Sequence, residues 1–130
     1  MFKLQHTPVL LVVMILVLAG CGGGAAPAIE SPTPLPPGDA ATGEKLFATS
    51  CATCHGSDGA GVRGLGKDLT SGEFVSSKTD DELVEFIKVG RPADDPLNTT
   101  GVTMLPKGGN LALTDQDLKD IVAYIRTLQK

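Results

Sequence analysis

The chain has 130 residues, of which 42% are hydrophobic and 4% aromatic, with no Trp, 16 Gly and 9 Pro. That length holds one small domain, and a net charge of −4 without any basic patch or stripe excludes a nucleic-acid binder's balance. Three cysteines exclude a fully paired disulfide framework. Much of the apolar content lies in the first twenty residues. The remainder has a thin core, of the kind that needs a metal, a disulfide or another staple.

The N-terminus reads as an export signal. Lys3 gives a short positive region, Val9 to Leu18 are uninterrupted apolar residues, and Leu18-Ala19-Gly20-Cys21 places small residues where a signal peptidase cuts. The run is shorter than the roughly 20 apolar residues a spanning helix needs. Leu-Ala-Gly before Cys resembles the lipobox of bacterial lipoproteins. The resemblance implies a signal peptide over 1–20 and a lipidated Cys21 as the first mature residue, held stably in a membrane by more than one acyl chain. An uncleaved N-terminal helix and ordinary secretion with a free thiol are the alternatives. All three place the domain outside the cytoplasm, on the periplasmic or cell-surface side.

From Cys21 onward, ten Lys and Arg (eleven less Lys3) face fifteen Asp and Glu, a net of −5. Residues 21–38 hold Gly22-Gly23-Gly24 and then Pro27, Pro32, Pro34, Pro36 and Pro37. Such a composition builds no core and reads as a tether. Fully extended from Gly22 to Gly38, at about 3.1 Å per residue, it reaches at most about 50 Å.

The folded domain is expected over 39–130. Asp39 or Thr42 can cap a first helix carrying Leu46 and Phe47. That helix runs into Cys51-Ala52-Thr53-Cys54-His55. Cys-x-x-Cys-His is the sequence form of c-type haem attachment. Two thiols three positions apart, on one face of a helical turn, match the two vinyl groups of a haem. The adjacent His55 is placed to ligate the iron. Gly56, Gly59, Gly61, Gly64 and Gly66 then predict a long loop. Thr79-Asp80-Asp81-Glu82 reads as a capping box that opens a stripe of Leu83, Phe86 and Ile87 and stops at Gly90. Asp80, Asp81, Glu82 and Glu85 read as a solvated face and dipole partners. A second loop spans Arg91 to Asn110. Thr114 caps a last helix with Leu118, Ile121, Val122, Ile125 and Leu128 at helical spacing. No stretch alternates like a strand, so the fold is expected to be all-α, with short helices and long loops.

The sixth iron position decides the chemistry. His6, Met1 and Met14 lie in the predicted signal, which leaves Met104 as the one mature methionine and removes bis-histidine ligation within one chain. A lone methionine is ordinarily a core filler. Met104 instead sits outside any helical stripe, beside Pro106, in a turn-rich loop that could close over a haem face. A thioether there fills the site and favours ferrous iron. Zinc needs four ligands, and the mature chain offers only Cys51, Cys54 and His55. A thioredoxin-like pair expects an α/β pattern that is missing. Arg63, Lys67 and Lys107 read as solubilising charges.

From about Asp39 to Gln129 the chain resembles a class I cytochrome c. The resemblance rests on Gly43 and Phe47 in the first helix, the attachment motif with Gly56, the late methionine loop, and the ending Asp-Ile-Val-Ala-Tyr-Ile-Arg. It implies a class I cytochrome c fold wrapped around one covalent haem c, bound by Cys51 and Cys54 with His55 and Met104 as axial ligands. It also implies a close crossing of the first and last helices at Gly43, Phe47 and Tyr124. Two departures stand out. The usual proline that orients the proximal histidine is missing from Arg63 to Leu69, so a backbone carbonyl near Leu65 is expected to serve. Met-Leu-Pro also replaces the commoner Met-Pro.

The expected function is non-enzymatic: a membrane-tethered monohaem cytochrome carrying single electrons between membrane-bound donor and acceptor proteins, with no small-molecule substrate. The alternatives are a fixed haem subunit of a respiratory or photosynthetic complex and, with Met104 against it, an open-haem enzyme or gas sensor.

Overall fold

The computed structural model describes residues 34–130. The expected signal peptide, the lipidation candidate Cys21 and most of the tether lie outside the described residues. Five α-helices and one 3-10 turn follow in order: α1 (Ala40–Ser50), α2 (Ala52–His55), α3 (Glu73–Ser76), α4 (Asp80–Val89), the 3-10 turn Pro106–Gly109, and α5 (Asp115–Thr127). Among the described residues, β-pairing is confined to two isolated bridges, one between Val62 and Gly66 and one between Arg91 and Met104. The expected all-α class is what forms.

Side-chain caps set the starts of the three longer helices. Asp39 is the cap of α1, its Oδ1 accepting from the backbone N–H groups of Ala41 at 2.8 Å and Thr42 at 3.4 Å. Thr79 opens α4 with a full capping box: Thr79 Oγ1 accepts from Glu82 N at 3.2 Å, and Glu82 Oε2 accepts from Thr79 N at 2.7 Å. Thr114 and Asp117 repeat the device on α5. Each cap is worth about 1 kcal/mol, because it satisfies N–H groups that the first helical turn leaves without partners.

The frame is the crossing of α1 and α5. A Cβ on Gly43 would lie 1.9 Å from the carbonyl oxygen of Asp120, so only glycine lets the two backbones meet there. One turn on, the rings of Phe47 and Tyr124 pack at 5.3 Å between centroids, tilted by 57°. Phe47, Leu118, Ile121 and Val122 are almost fully buried around this contact. Burying each such side chain contributes about 1.5–3 kcal/mol. The buried Asp120 carboxylate ties the start of the domain to α5, accepting from Asp39 N at 2.9 Å and from Gln116 Nε2 at 2.9 Å.

α3 and α4 are fastened to this frame by Arg126. Its guanidinium donates to Val75 O at 2.8 Å, to Lys78 O at 2.6 Å and to Asp80 Oδ1 at 2.8 Å. It thereby satisfies carbonyls at the end of α3 and pairs with the acidic start of α4. The acidic face of α4 is in fact partly paired: Asp80 with Arg126, and Glu85 with Lys88 at 3.0 Å.

α1 runs up to the attachment motif, as expected, and Cys51, at φ −120° and ψ −35°, breaks it from α2. Other local expectations change. The stretch after the glycine-rich loop holds the four-residue α3, and the second loop contains the 3-10 turn. Val84, outside the expected stripe of α4, is buried, whereas Phe86 is only partly buried and faces a cavity.

Candidate functional site

The attachment motif is held by the loop that follows it. Val62 N donates to Cys54 O at 3.1 Å and Gly61 N donates to His55 O at 2.7 Å, so the carbonyls of α2 find their partners in the loop. The loop passes so close that a Cβ on Gly66 would lie 2.2 Å from Cys54 O. This approach brings the next backbone carbonyl to the imidazole: His55 Nδ1 lies 2.8 Å from Lys67 O. A carbonyl only accepts, so Nδ1 carries the proton and Nε2 is left with a free lone pair for a metal. The carbonyl that orients His55 is therefore that of Lys67, two residues from Leu65, near which it was expected.

Met104 approaches from the other end of the chain. Its N–H donates to Arg91 O at 2.8 Å, and its carbonyl accepts from Arg91 N at 2.9 Å. Leu105 then adopts an extended conformation, φ −66° and ψ 149°, as a residue before proline should, and Pro106 begins the 3-10 turn. The inserted leucine of Met-Leu-Pro is thus absorbed as an extended step, 56% exposed.

Cys51, Cys54, His55 and Met104 all line one cavity of about 560 Å³. Phe47, Phe74, Leu83, Phe86, Ile87 and Ile121 supply apolar wall. Much of what reads in sequence as helix core stripe thus has its inner surface on this cavity. Burial, with a smaller contribution from the neighbouring Cys54, pushes the Cys51 thiol up to about 11. A neutral, desolvated thiol is a poor metal ligand and a poor redox nucleophile. Among the described residues no group of three His, Cys, Asp or Glu side chains converges as a metal site.

Of the basic residues, Lys107 is more than a solubilising charge. At φ 52°, its ammonium donates to Leu113 O at 2.6 Å and closes the segment between the 3-10 turn and α5. Phe74 and Arg91 also line the cavity and carried no signal of their own in the sequence.

The family model for cytochrome c matches residues 40–129, and the chain belongs to that family. Its fold is accordingly the class I cytochrome c fold. The chain is 33% identical over 88 residues to the Cbb3-type cytochrome c oxidase subunit CcoP of Rubrivivax gelatinosus, which spans 68% of this chain and 25% of that protein. It is 32% identical over 88 residues to cytochrome c-555 of Prosthecochloris aestuarii, spanning 67% of this chain and 85% of that protein. The cytochrome bc1 complex cytochrome c subunit of Corynebacterium diphtheriae is 29% identical over 102 residues, 72% of this chain and 29% of the relative. Against the oxidase subunits the chain covers only 25% to 30% of their length. No solved structure matches.

The family implies a covalently bound haem c, and the cavity fits one. Its volume falls within the range of cofactor sites, about 300–1,000 Å³, and its walls are apolar. Two thiols stand at its edge, with an imidazole whose Nε2 is free and a thioether on the same cavity.

Proposed function

We propose that this chain is a monohaem electron carrier, with one haem c attached through Cys51 and Cys54 and ligated by His55 and Met104. The observation that carries the reading is the convergence of those four side chains on one apolar cavity, with the Nδ1–H of His55 directed at the Lys67 carbonyl. Haem c supplies a one-electron couple between ferrous and ferric iron. The residues do the rest. Phe47, Phe74, Leu83 and Ile87 exclude water and keep the surroundings of low polarity. His55 is fixed in rotation and tautomer by a backbone oxygen, and a soft thioether from Met104 favours the reduced state. With both axial positions filled by protein, little would have to move on electron transfer and no position is left for a substrate. The reading is therefore of a carrier and not an enzyme.

We further propose that residues 1–20 are a signal peptide and that Cys21 is lipidated. Residues 21–38 then tether the 39–130 domain to the outer side of a membrane, where it meets membrane-bound donor and acceptor proteins. Among the described residues no helix is long and apolar enough to cross a membrane. Tethering confines the search for partners to the surface and raises the effective concentration there.

A second reading, a fixed subunit of a respiratory complex, is favoured by the relatives named as oxidase and bc1-complex subunits. Gentle detergent extraction of native membranes followed by redox titration tests the choice. The carrier reading expects a single one-electron wave in a fraction free of other subunits. Recovery only within a multi-subunit assembly would replace it with the subunit reading.

A further inference from the structure

We infer that Arg91 is the positioning residue that holds the methionine loop shut, so that its side chain sets how readily Met104 leaves the iron. The inference rests on the reading of Met104 as an axial ligand.

Segment 92–103 is bonded to itself. Asn98 is its hub: Nδ2 donates to Pro92 O at 2.9 Å and to Val102 O at 2.8 Å, while Oδ1 accepts from Thr100 N at 3.1 Å and Gly101 N at 3.0 Å. The neck of the loop is the backbone pair between Arg91 and Met104. Among the described residues, every hydrogen bond of segment 92–103 is internal or made to Arg91. Its polar attachment to the body of the domain therefore passes through one side chain.

That side chain is built as a clamp. On one side Arg91 NH1 donates to Leu97 O at 3.3 Å, and Nε lies 3.9 Å from Asp95 Oδ1. On the other, the guanidinium carbon sits 4.9 Å from the ring centre of Phe74 and 4.8 Å from that of Phe86. Those rings belong to α3 and α4 and pack edge-to-face at 4.8 Å. The side chain is only 14% exposed. Cation–π attraction strengthens when the cation is desolvated, and a planar guanidinium stacks and donates at once, as an ammonium cannot. Substituting the side chain leaves the two backbone bonds to Met104 available, so a variant reads the clamp alone.

The test uses the full-length ferric holoprotein and imidazole as the probe. Binding is followed by loss of the near-infrared charge-transfer band from thioether to ferric iron. An external ligand's apparent affinity scales with the fraction of open loop. R91Q loses a charge-assisted bond and two ring contacts and is expected to bind imidazole about tenfold more tightly. R91K should lie between R91Q and the parent. Both variants should keep haem content and a cooperative ferrous melt. Parent-like imidazole affinity in R91Q with the band intact overturns the inference. So does a variant that loses the band together with cooperative melting, which would mark a general loss of structure. If R91Q yields no holoprotein, R91K decides, and parent-like affinity sinks the idea. A parent protein without the band removes Met104 ligation itself and the clamp with it, which separates failure of the functional reading from failure of this one.

Discussion

His55 Nδ1 lies 2.8 Å from the backbone carbonyl of Lys67, twelve residues along the chain. Because the acceptor is backbone, the Lys67 side chain is dispensable to it. K67A should leave the absorption spectrum and haem content of the holoprotein unchanged. Gly66 is not dispensable, since a Cβ there would press on Cys54 O from 2.2 Å. G66A should displace the carbonyl and lower the haem bound per chain. Pyridine haemochrome assay of both variants checks this. Equal haem content in G66A and parent would count against the packing argument.

The α1–α5 crossing makes a stability prediction. With a Cβ on Gly43 only 1.9 Å from a backbone oxygen, the helices must separate to accept any side chain. G43A should lower stability by about 2–3 kcal/mol, the upper range for overpacking of a tight core. Denaturant titration of the ferric protein measures it. A loss under about 0.5 kcal/mol, the usual size for surface changes, would mean that the crossing is loose.

Acid should weaken the domain through its hydrogen-bonded carboxylates. Hydrogen bonds from Ser71 and then Thr70 hold Asp68 down at about 2, and Asp39, Glu82 and Asp117 are likewise lowered by the N–H and hydroxyl groups they accept from. A folded value below the unfolded one, near 4 for Asp, gives stability that is present above the unfolded value. It is lost as pH falls through the folded value. Stability should therefore fall between about pH 5 and pH 2, and D68N should flatten the most acidic part of that fall. Denaturation midpoints at stepped pH check it; an identical acid profile for D68N and the parent would contradict the assignment.

The membrane tether is tested by mass. A mature chain beginning at Cys21 and carrying diacylglycerol is expected from native membranes. An unmodified Cys21, or a chain retaining residues 1–20, would rule out the lipid anchor.

The elements legible in the sequence are those fixed by local chemistry. Thr79 with Glu82 and Thr114 with Asp117 specify helix starts through contacts three residues apart, and both boxes form. The attachment motif is equally local. What escaped is carried by backbone or by distance. The identity of Lys67 says nothing of its carbonyl, and four residues of α3 are too few to show a period. Arg91 and Phe74 become informative only once the chain brings α3 and α4 together. Phe86 read as core because a cavity wall and a packed core want the same apolar residue. Arg126 acts through three acceptors that lie 46 to 51 residues away, beyond the reach of any local pattern.

The central claim is a closed site, with Met104 as the protein's own sixth ligand. Exposing the ferrous holoprotein to carbon monoxide at neutral pH tests it most directly. The account predicts an unchanged spectrum for the parent and ready binding in M104A. Ready binding by the parent protein would contradict it.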